Sequence, residues 1–299
     1  MNAPVRLLES VIPTSVNIRA EIPEAHPSAQ ILGTERTGSG TLIDSVGIVL
    51  TVNYIVLGAQ QLSVTLVDDT TVIGEIAAQD FYSGLAAVRI TGTGYPSVPT
   101  RRSSEVHVGE EIFILSSAGG AQRRVNTGAV AALAPFDAFW EYHLERSIIT
   151  TAMNPGLGGG ALFARSGHLI GIVSLDLNEV GRFTLAVPIE DFLDYREELL
   201  LHGRRTTRPA RAWAGFYCYE LRDHVVVAGV LPGAPSERAG LKVGDVILGV
   251  DGTKINERRD LYRCLWARKP GDEVVLKIFR QNAVSQISLR AGDAEKFFA

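Results

Sequence analysis

Cysteine is almost absent from this chain: Cys218 and Cys264 are the only two in 299 residues. Two thiols make no disulfide framework and neither stands at metal-ligand spacing, so both read as buried small hydrophobes. The six histidines are scattered, with no HxxxH or CxxC-like cluster around them. Neither a structural metal nor any other cofactor is expected. Lysine is missing altogether from residues 1–200, where 12 Arg stand against 22 acidic residues, while residues 201–299 hold 17 basic and 11 acidic side chains. An acidic body carrying a basic module argues against a nucleic-acid-binding body. It leaves the module able to prefer anionic ligands such as peptide carboxylates, with two ordinary solvated surfaces as an equally open reading. No apolar run approaches the roughly 20 residues of a bilayer span. The opening MNAPVRLLES has one Arg and a brief apolar stretch but no long hydrophobic region and no small-residue cleavage site. The chain is therefore expected to be either cytosolic or a mature fragment whose export signal was removed. Phe, Tyr and Trp are all missing before Tyr54.

What is present from Thr34 to about Pro188 is a series of short β-branched runs: GTLIDSVGIVLTV, QLSVTLVDDTTVIGEI, LAAVRI, EIFILSS and LIGIVSLD. Gly, Pro and Asp-containing turns separate them, and no long amphipathic helix lies between, which predicts an all-β sandwich or barrel of a size that suits a pair of barrels. The stretch PIEDFLDYREELLLHG, with Pro188 at its start and Gly203 at its end, predicts one helix closing this domain. RRTTRPAR, residues 204–211, has a linker's composition. Beyond it the pattern predicts strands at 224–233, 244–252, 272–280 and 284–290 with helices at 234–241 and 255–268, a small α+β domain. The expected division is an N-terminal segment 1–30, a β domain 31–200, a linker 201–212 and a second domain 213–299.

The stretch PGAPSERAGLKVGDVILGVDGTKI, residues 232–255, is specific. Gly240 and Gly244 suit turns closed to other residues, and Asp245 can cap the turn before a buried strand. This stretch resembles the core of a PDZ domain of the bacterial protease-associated kind. The resemblance implies that Trp213, Ala214, Gly215 and Phe216 form a loop whose backbone N–H groups receive a peptide's C-terminal carboxylate, the peptide adding as an extra strand. Leu261 and Leu265, four apart on the main helix, would face the same groove; core packing is the alternative for both.

In the first domain, residues 38–56 (GSGTLIDSVGIVLTVNYIV), 80–90 (DFYSGLAAVRI) and 150–172 (TTAMNPGLGGGALFARSGHLIGI) resemble the three catalytic stretches of HtrA-type trypsin-like serine proteases. The fold implied is an all-β double β-barrel of the trypsin type followed by a small α+β PDZ domain. At the positions that would carry the triad stand Tyr54, Gly84 and Gly158. A tyrosine with a pKa near 10 is no base at neutral pH, Gly84 cannot orient an imidazole, and Gly158 carries no nucleophile. Gly156 and Gly158 keep the backbone whose N–H groups would form an oxyanion hole. The Tyr54 ring is expected to fill the space that the missing serine and imidazole leave.

These readings predict a chain that is not an enzyme, a pseudoprotease binding peptides or unfolded protein C-termini through its PDZ domain as adaptor, chaperone or regulator. The alternatives are an endopeptidase with a rearranged site, drawing on Ser39, Ser83, Ser116, Ser117, Ser166 or Ser174 with His107, His143 or His168, and a regulatory subunit of an active HtrA-type protease. Partners expected are peptides or unfolded polypeptides, with such a protease as the alternative, and with no nucleic acid and no membrane span. By resemblance the compartment would be the bacterial periplasm. Family members trimerise through aromatic residues near the N-terminus, and their absence here sets the trimer in doubt.

Overall fold

The computed structural model of the chain describes residues 3–178 and 181–299. The first two residues of the opening segment, weighed above as a leader, lie outside the described residues. The chain folds as two units, residues 1–136 with 144–206, and residues 137–143 with 207–299.

In the first unit, β1 (Ser15–Glu21), β2 (Glu35–Leu42), β3 (Ile48–Val52), β4 (Gln61–Thr65), β5 (Thr71–Gln79) and β6 (Leu85–Ile90) close into a barrel in the order β1-β2-β3-β6-β5-β4. β7 (Glu111–Gly119), β8 (Gln122–Ala138), β9 (Tyr142–Thr150), β10 (Ala161–Ala164), β11 (Leu169–Asp176) and β12 (Thr184–Pro188) close into a second, in the order β10-β11-β12-β9-β8-β7. Closure pairs every strand on both sides and removes the exposed edges that short β-branched segments would otherwise present. Local chemistry sets the turns. Between β2 and β3 the Asp44 carboxylate accepts from the N–H groups of Val46 and Ile48 at 3.1 and 3.0 Å. Alternation fills the interior: Val16, Ile18 and Ala20 of β1 are fully buried, while Arg19 and Glu21 face out.

The boundary expected at residue 30 is corrected by β1, which pairs with both β2 and β4 and is a stave of the first barrel. Prolines 23 and 27 with Glu24 and His26 between them separate this strand from the β pattern that begins at Thr34. The single closing helix is also corrected, to two short ones, Glu190–Leu193 and Arg196–His202. They are broken where Asp194 turns to a bidentate pair with Arg102. The expected linker begins inside the second of these helices, and Arg205 beyond it is buried, bonded to Asp80 at 2.7 Å.

In the second unit β13 (Phe216–Leu221), β14 (His224–Val230), β15 (Val246–Val250), β17 (Glu273–Arg280) and β18 (Ala283–Arg290) form one sheet in that order, and β16 (Thr253–Lys254) pairs with β15. The main helix, Arg258–Trp266, sets Leu261, Tyr262 and Leu265 into a core with Phe216, Ile247, Val274 and Ile278. Both helices of this unit are shorter than the expected 234–241 and 255–268. One runs Pro235–Arg238 and stops before Gly240, and residues 255–257 are extended, with Ile255 donating to the Leu248 carbonyl at 3.1 Å. Asp245 caps its turn, accepting from the Lys242 N–H at 2.8 Å, and also binds Arg280 at 2.5 Å.

Candidate functional site

Two places in the fold carry site chemistry, one in each unit. In the first unit the chain leaves β3 through the short helix Asn53–Val56, which aims the Tyr54 ring inward. The Tyr54 hydroxyl donates to the Ser174 carbonyl at 2.8 Å. That carbonyl sits at the bulge between Val173 and Leu175 of β11, outside the ladder with β12. A Cβ built on Gly158 would overlap the Tyr54 hydroxyl and lie 3.3 Å from the ring's Cζ. The phenol oxygen thus takes the room in which a side chain at 158 would begin. Burial first, and the Asp176 carboxylate second, push the Tyr54 pKa up to about 12, so the group holds its proton at every physiological pH.

Gly84 lies between Asp80 and β6, with φ +72°, its N–H donating to the Asp80 carbonyl and its carbonyl accepting from the Asn53 N–H at 2.7 Å. The Asp80 carboxylate is a structural hub. It accepts from the Tyr82 N–H and the Ser83 hydroxyl at 3.0 and 2.6 Å and binds buried Arg205. The Gly156 N–H donates to the Asn154 side chain at 3.3 Å, closing a small turn, while the Gly158 carbonyl accepts from the Ser39 N–H at 2.7 Å. One of the two amides expected for an oxyanion hole is thus already engaged within its own loop.

Three of the other hydroxyls named above, those of Ser39, Ser116 and Ser117, are held by backbone or amide partners. Ser39 donates to the Leu157 carbonyl at 2.8 Å and Ser116 to Asn154 at 2.8 Å, and Ser117 accepts from the Gly119 N–H. Ser166 does meet an imidazole, His168 Nδ1 at 3.0 Å, on an exposed turn. His143 falls in the second unit, where it binds Asp137 at 2.6 Å. No base, orienter or nucleophile of the usual serine-protease kind stands at positions 54, 84 and 158.

The second unit holds a built carboxylate site. Gly215, at φ +79°, turns the chain into β13. The N–H groups of Ala214, Gly215 and Phe216 converge on the Glu141 carboxylate at 3.1, 2.6 and 3.3 Å. Burial pushes the Glu141 pKa up to about 7 against the pull of these three amides. Tyr262 completes the site, its hydroxyl accepting from the Glu141 N–H at 2.9 Å and donating to the Ala138 carbonyl at 2.5 Å.

Trp213, expected in this loop, is used for packing instead. Its backbone pairs with Gly292, and its ring lies 4.7 Å from Phe297 and 5.9 Å from Phe298, over Leu231 and Ala234. Leu261 and Leu265, expected to face a groove, are each 1% exposed within the main core of the unit. Glu141 and Tyr262 escaped the sequence reading. Their only signal was an acid set among aromatics, Phe139, Trp140 and Tyr142, at the turn of a hairpin more than seventy residues before the loop it meets.

Residues 38–172 match the family model described as trypsin-like peptidase domain, and residues 214–290 the one described as PDZ domain. Two closed barrels followed by this sheet and helix make a trypsin-like domain in series with a PDZ domain. Among curated relatives, the probable periplasmic serine endoprotease DegP-like of Ectopseudomonas mendocina is 29% identical over 285 residues, 89% of this chain and 58% of the relative. That of Hahella chejuensis is 28% identical over 276 residues, 86% of this chain and 57% of the relative. The chain is thus similar to HtrA-type serine proteases across both units, and it spans under three fifths of the length of these relatives.

Solved structures share the fold. The HtrA-type protease AlgW with tripeptide has a TM-score of 0.60 at 24% identity over 97% of both chains. The serine endoprotease from Yersinia pestis has a TM-score of 0.57 at 21% identity over 98% of both. These comparisons correct one expectation. The sequence reading of a chain that is not an enzyme runs against relatives that are named serine endoproteases. Tyr54, Gly84 and Gly158 stand at positions expected from the resemblance to carry a triad, and by themselves they do not decide whether the chain is an enzyme. No helix among the described residues is long and apolar enough to cross a membrane.

Proposed function

We propose that this chain serves as a peptide-binding HtrA-type protein whose second unit takes the C-terminal carboxylates of peptides or partly unfolded polypeptides, in the manner of an adaptor, chaperone or regulator. The observation that carries this reading is the convergence of the Ala214, Gly215 and Phe216 amides on one carboxylate, with β13 beside it. Backbone amides in a turn bind a carboxylate whatever side chains follow, and an adjoining strand edge supplies the further main-chain bonds of an added strand. The naming of the relatives as periplasmic supports the same compartment here.

The test is calorimetric titration of the whole chain with an apolar decapeptide bearing a free C-terminus and with the same peptide amidated. Binding in the micromolar range by the first, and none by the second, is the expected result. Equal binding of both refutes carboxylate recognition.

A further inference from the structure

The carboxylate in the loop belongs to the chain itself. Residues 139–141 are the turn between β8 and β9, and with the flanking strand ends, 137–143, they group with the second unit. There they lie as a bound peptide would. The Glu141 carboxylate is held by three loop amides, and the Phe139 carbonyl, two residues earlier, accepts from the Cys218 N–H of β13 at 2.9 Å. That pair of contacts, a carboxylate in the turn and a main-chain bond to the strand edge, is the pattern of strand addition. The main helix contributes the Tyr262 hydroxyl to both Glu141 and Ala138, and Arg259 reaches Asp137 at 2.9 Å. Phe139 lies 5.9 Å from the Tyr217 ring.

The backbone of the turn also bears on the design of a test. Glu141 has φ +58°, a left-handed conformation that a turn ordinarily gives to Gly or Asn and that costs other residues about 1 kcal/mol or more. Arg222 and Gln281 adopt the same conformation at other hairpin turns of this unit, so the cost is one the chain bears elsewhere, and at Glu141 the three amide contacts offset it.

We propose that the turn Phe139–Trp140–Glu141 is an internal ligand of the carboxylate-binding loop, so that a free peptide C-terminus enters the groove only by displacing it. The inference rests on the peptide-binding reading above. It adds the regulation of that site and the chemistry of its resident occupant: an acidic side chain after two aromatic residues on a tight turn.

The experiment compares the full-length chain with Glu141→Gly and Glu141→Gln. Glycine suits φ +58° and keeps the hairpin turn while removing the carboxylate, and glutamine keeps the shape and removes the charge. The probe is a fluorescein-labelled decapeptide ending in Ala-Phe-Trp-Val with a free C-terminus, followed by fluorescence anisotropy. Hydrogen exchange of the segment carrying Ala214–Cys218 is measured without any peptide.

Glu141→Gly is expected to bind the probe at least tenfold more tightly than the unaltered chain and to exchange the Gly215 amide at least tenfold faster when no peptide is present. Equal affinity together with unchanged exchange overturns the internal ligand while leaving peptide binding intact. Faster exchange with no probe binding by any variant overturns the peptide-binding reading, and with it the competition proposed here.

Discussion

Replacing Gly158 by serine tests whether Tyr54 and Gly158 are one packing unit. The φ of Gly158 is not among the left-handed ones, so the backbone accepts a side chain and the obstacle is space. A Cβ there overlaps the Tyr54 hydroxyl, and the ring has to leave the Ser174 carbonyl it bonds at 2.8 Å. Losing that bond costs about 1 kcal/mol, leaving the bulge carbonyl without a donor costs about 1 to 2 more, and forcing the ring off its rotamer adds about 1. Gly158→Ser should therefore destabilise the first unit by about 3 to 4 kcal/mol. Tyr54→Phe removes the overlapping atom and leaves Cζ at 3.3 Å, a contact that a small shift relieves. In that background Gly158→Ser should cost only about 1 kcal/mol, a coupling of about 2 to 3 kcal/mol. All three tryptophans, Trp140, Trp213 and Trp266, belong to the second unit. Urea unfolding of the barrels is thus read as the far-UV circular dichroism change that tryptophan fluorescence does not follow. Costs that add within about 0.5 kcal/mol would mean that Tyr54 does not occupy the place of a side chain at 158, and the reasoning would be wrong.

Three further outcomes are expected. The triple change Tyr54→His, Gly84→Asp and Gly158→Ser should give a fluorophosphonate adduct located at residue 158 by mass spectrometry, with some loss of thermal stability because position 84 has φ +72°. A folded triple variant without that adduct would show that the Gly156 and Gly158 amides no longer serve as an oxyanion hole. Gly215→Val should reduce probe binding at least tenfold, since a Cβ there meets Ala234 and lies 2.8 Å from the Trp213 ring at φ +79°; unchanged affinity would remove the loop from the binding site. The third outcome is a pH dependence. Docking raises the Glu141 carboxyl from its ordinary 4.5 to about 7, so the docked turn takes up a proton. Docking is strongest below pH 4.5, weakens by up to about 3 kcal/mol as pH rises to about 7, and is level above that. The adjacent Tyr262 hydroxyl and Cys218 thiol are raised by burial and stay neutral across this window. Asp137, His143 and Arg259 at the base of the turn are controlled for by Glu141→Gln, whose Gly215 amide protection should be level with pH.

The barrels were legible because β-branched runs punctuated by Gly and Asp leave few alternatives, and the second domain because its turn residues stand in a specific order. β1 was hidden by the interruption between Pro23 and Pro27, where composition reads as a loop although the ladder resumes at Glu35. Tyr54, Gly84 and Gly158 were assigned to triad positions by the resemblance of local motifs alone. What those motifs could not give is that Tyr54 and Gly158 share one volume, because residues 104 apart meet only once both barrels are built. Trp213 was drawn to the carboxylate loop by its neighbouring glycine. The folded chain instead offered it Phe297 and Phe298, whose contact depends on the C-terminal helix returning beside Gly292. Glu141 was invisible for the same reason: nothing local in FDAFWEYH distinguishes a solvent-facing turn from a bound one.

The two sites differ in what their central groups can do with a proton. In the first unit, the position that resembles a catalytic base holds a phenol whose hydroxyl is directed at a backbone carbonyl and whose pKa burial has carried up to about 12. A donor so fixed stabilises a bulge and keeps its proton at physiological pH. In the second unit, burial acts on a carboxyl instead of a phenol, and the same physical cause brings the group to about 7, into the range where its charge changes. Desolvation thus removes titration from one site and creates it in the other. Between Tyr54 and Glu141, a response of this chain to mild acidification should be carried by the turn that fills its own carboxylate loop.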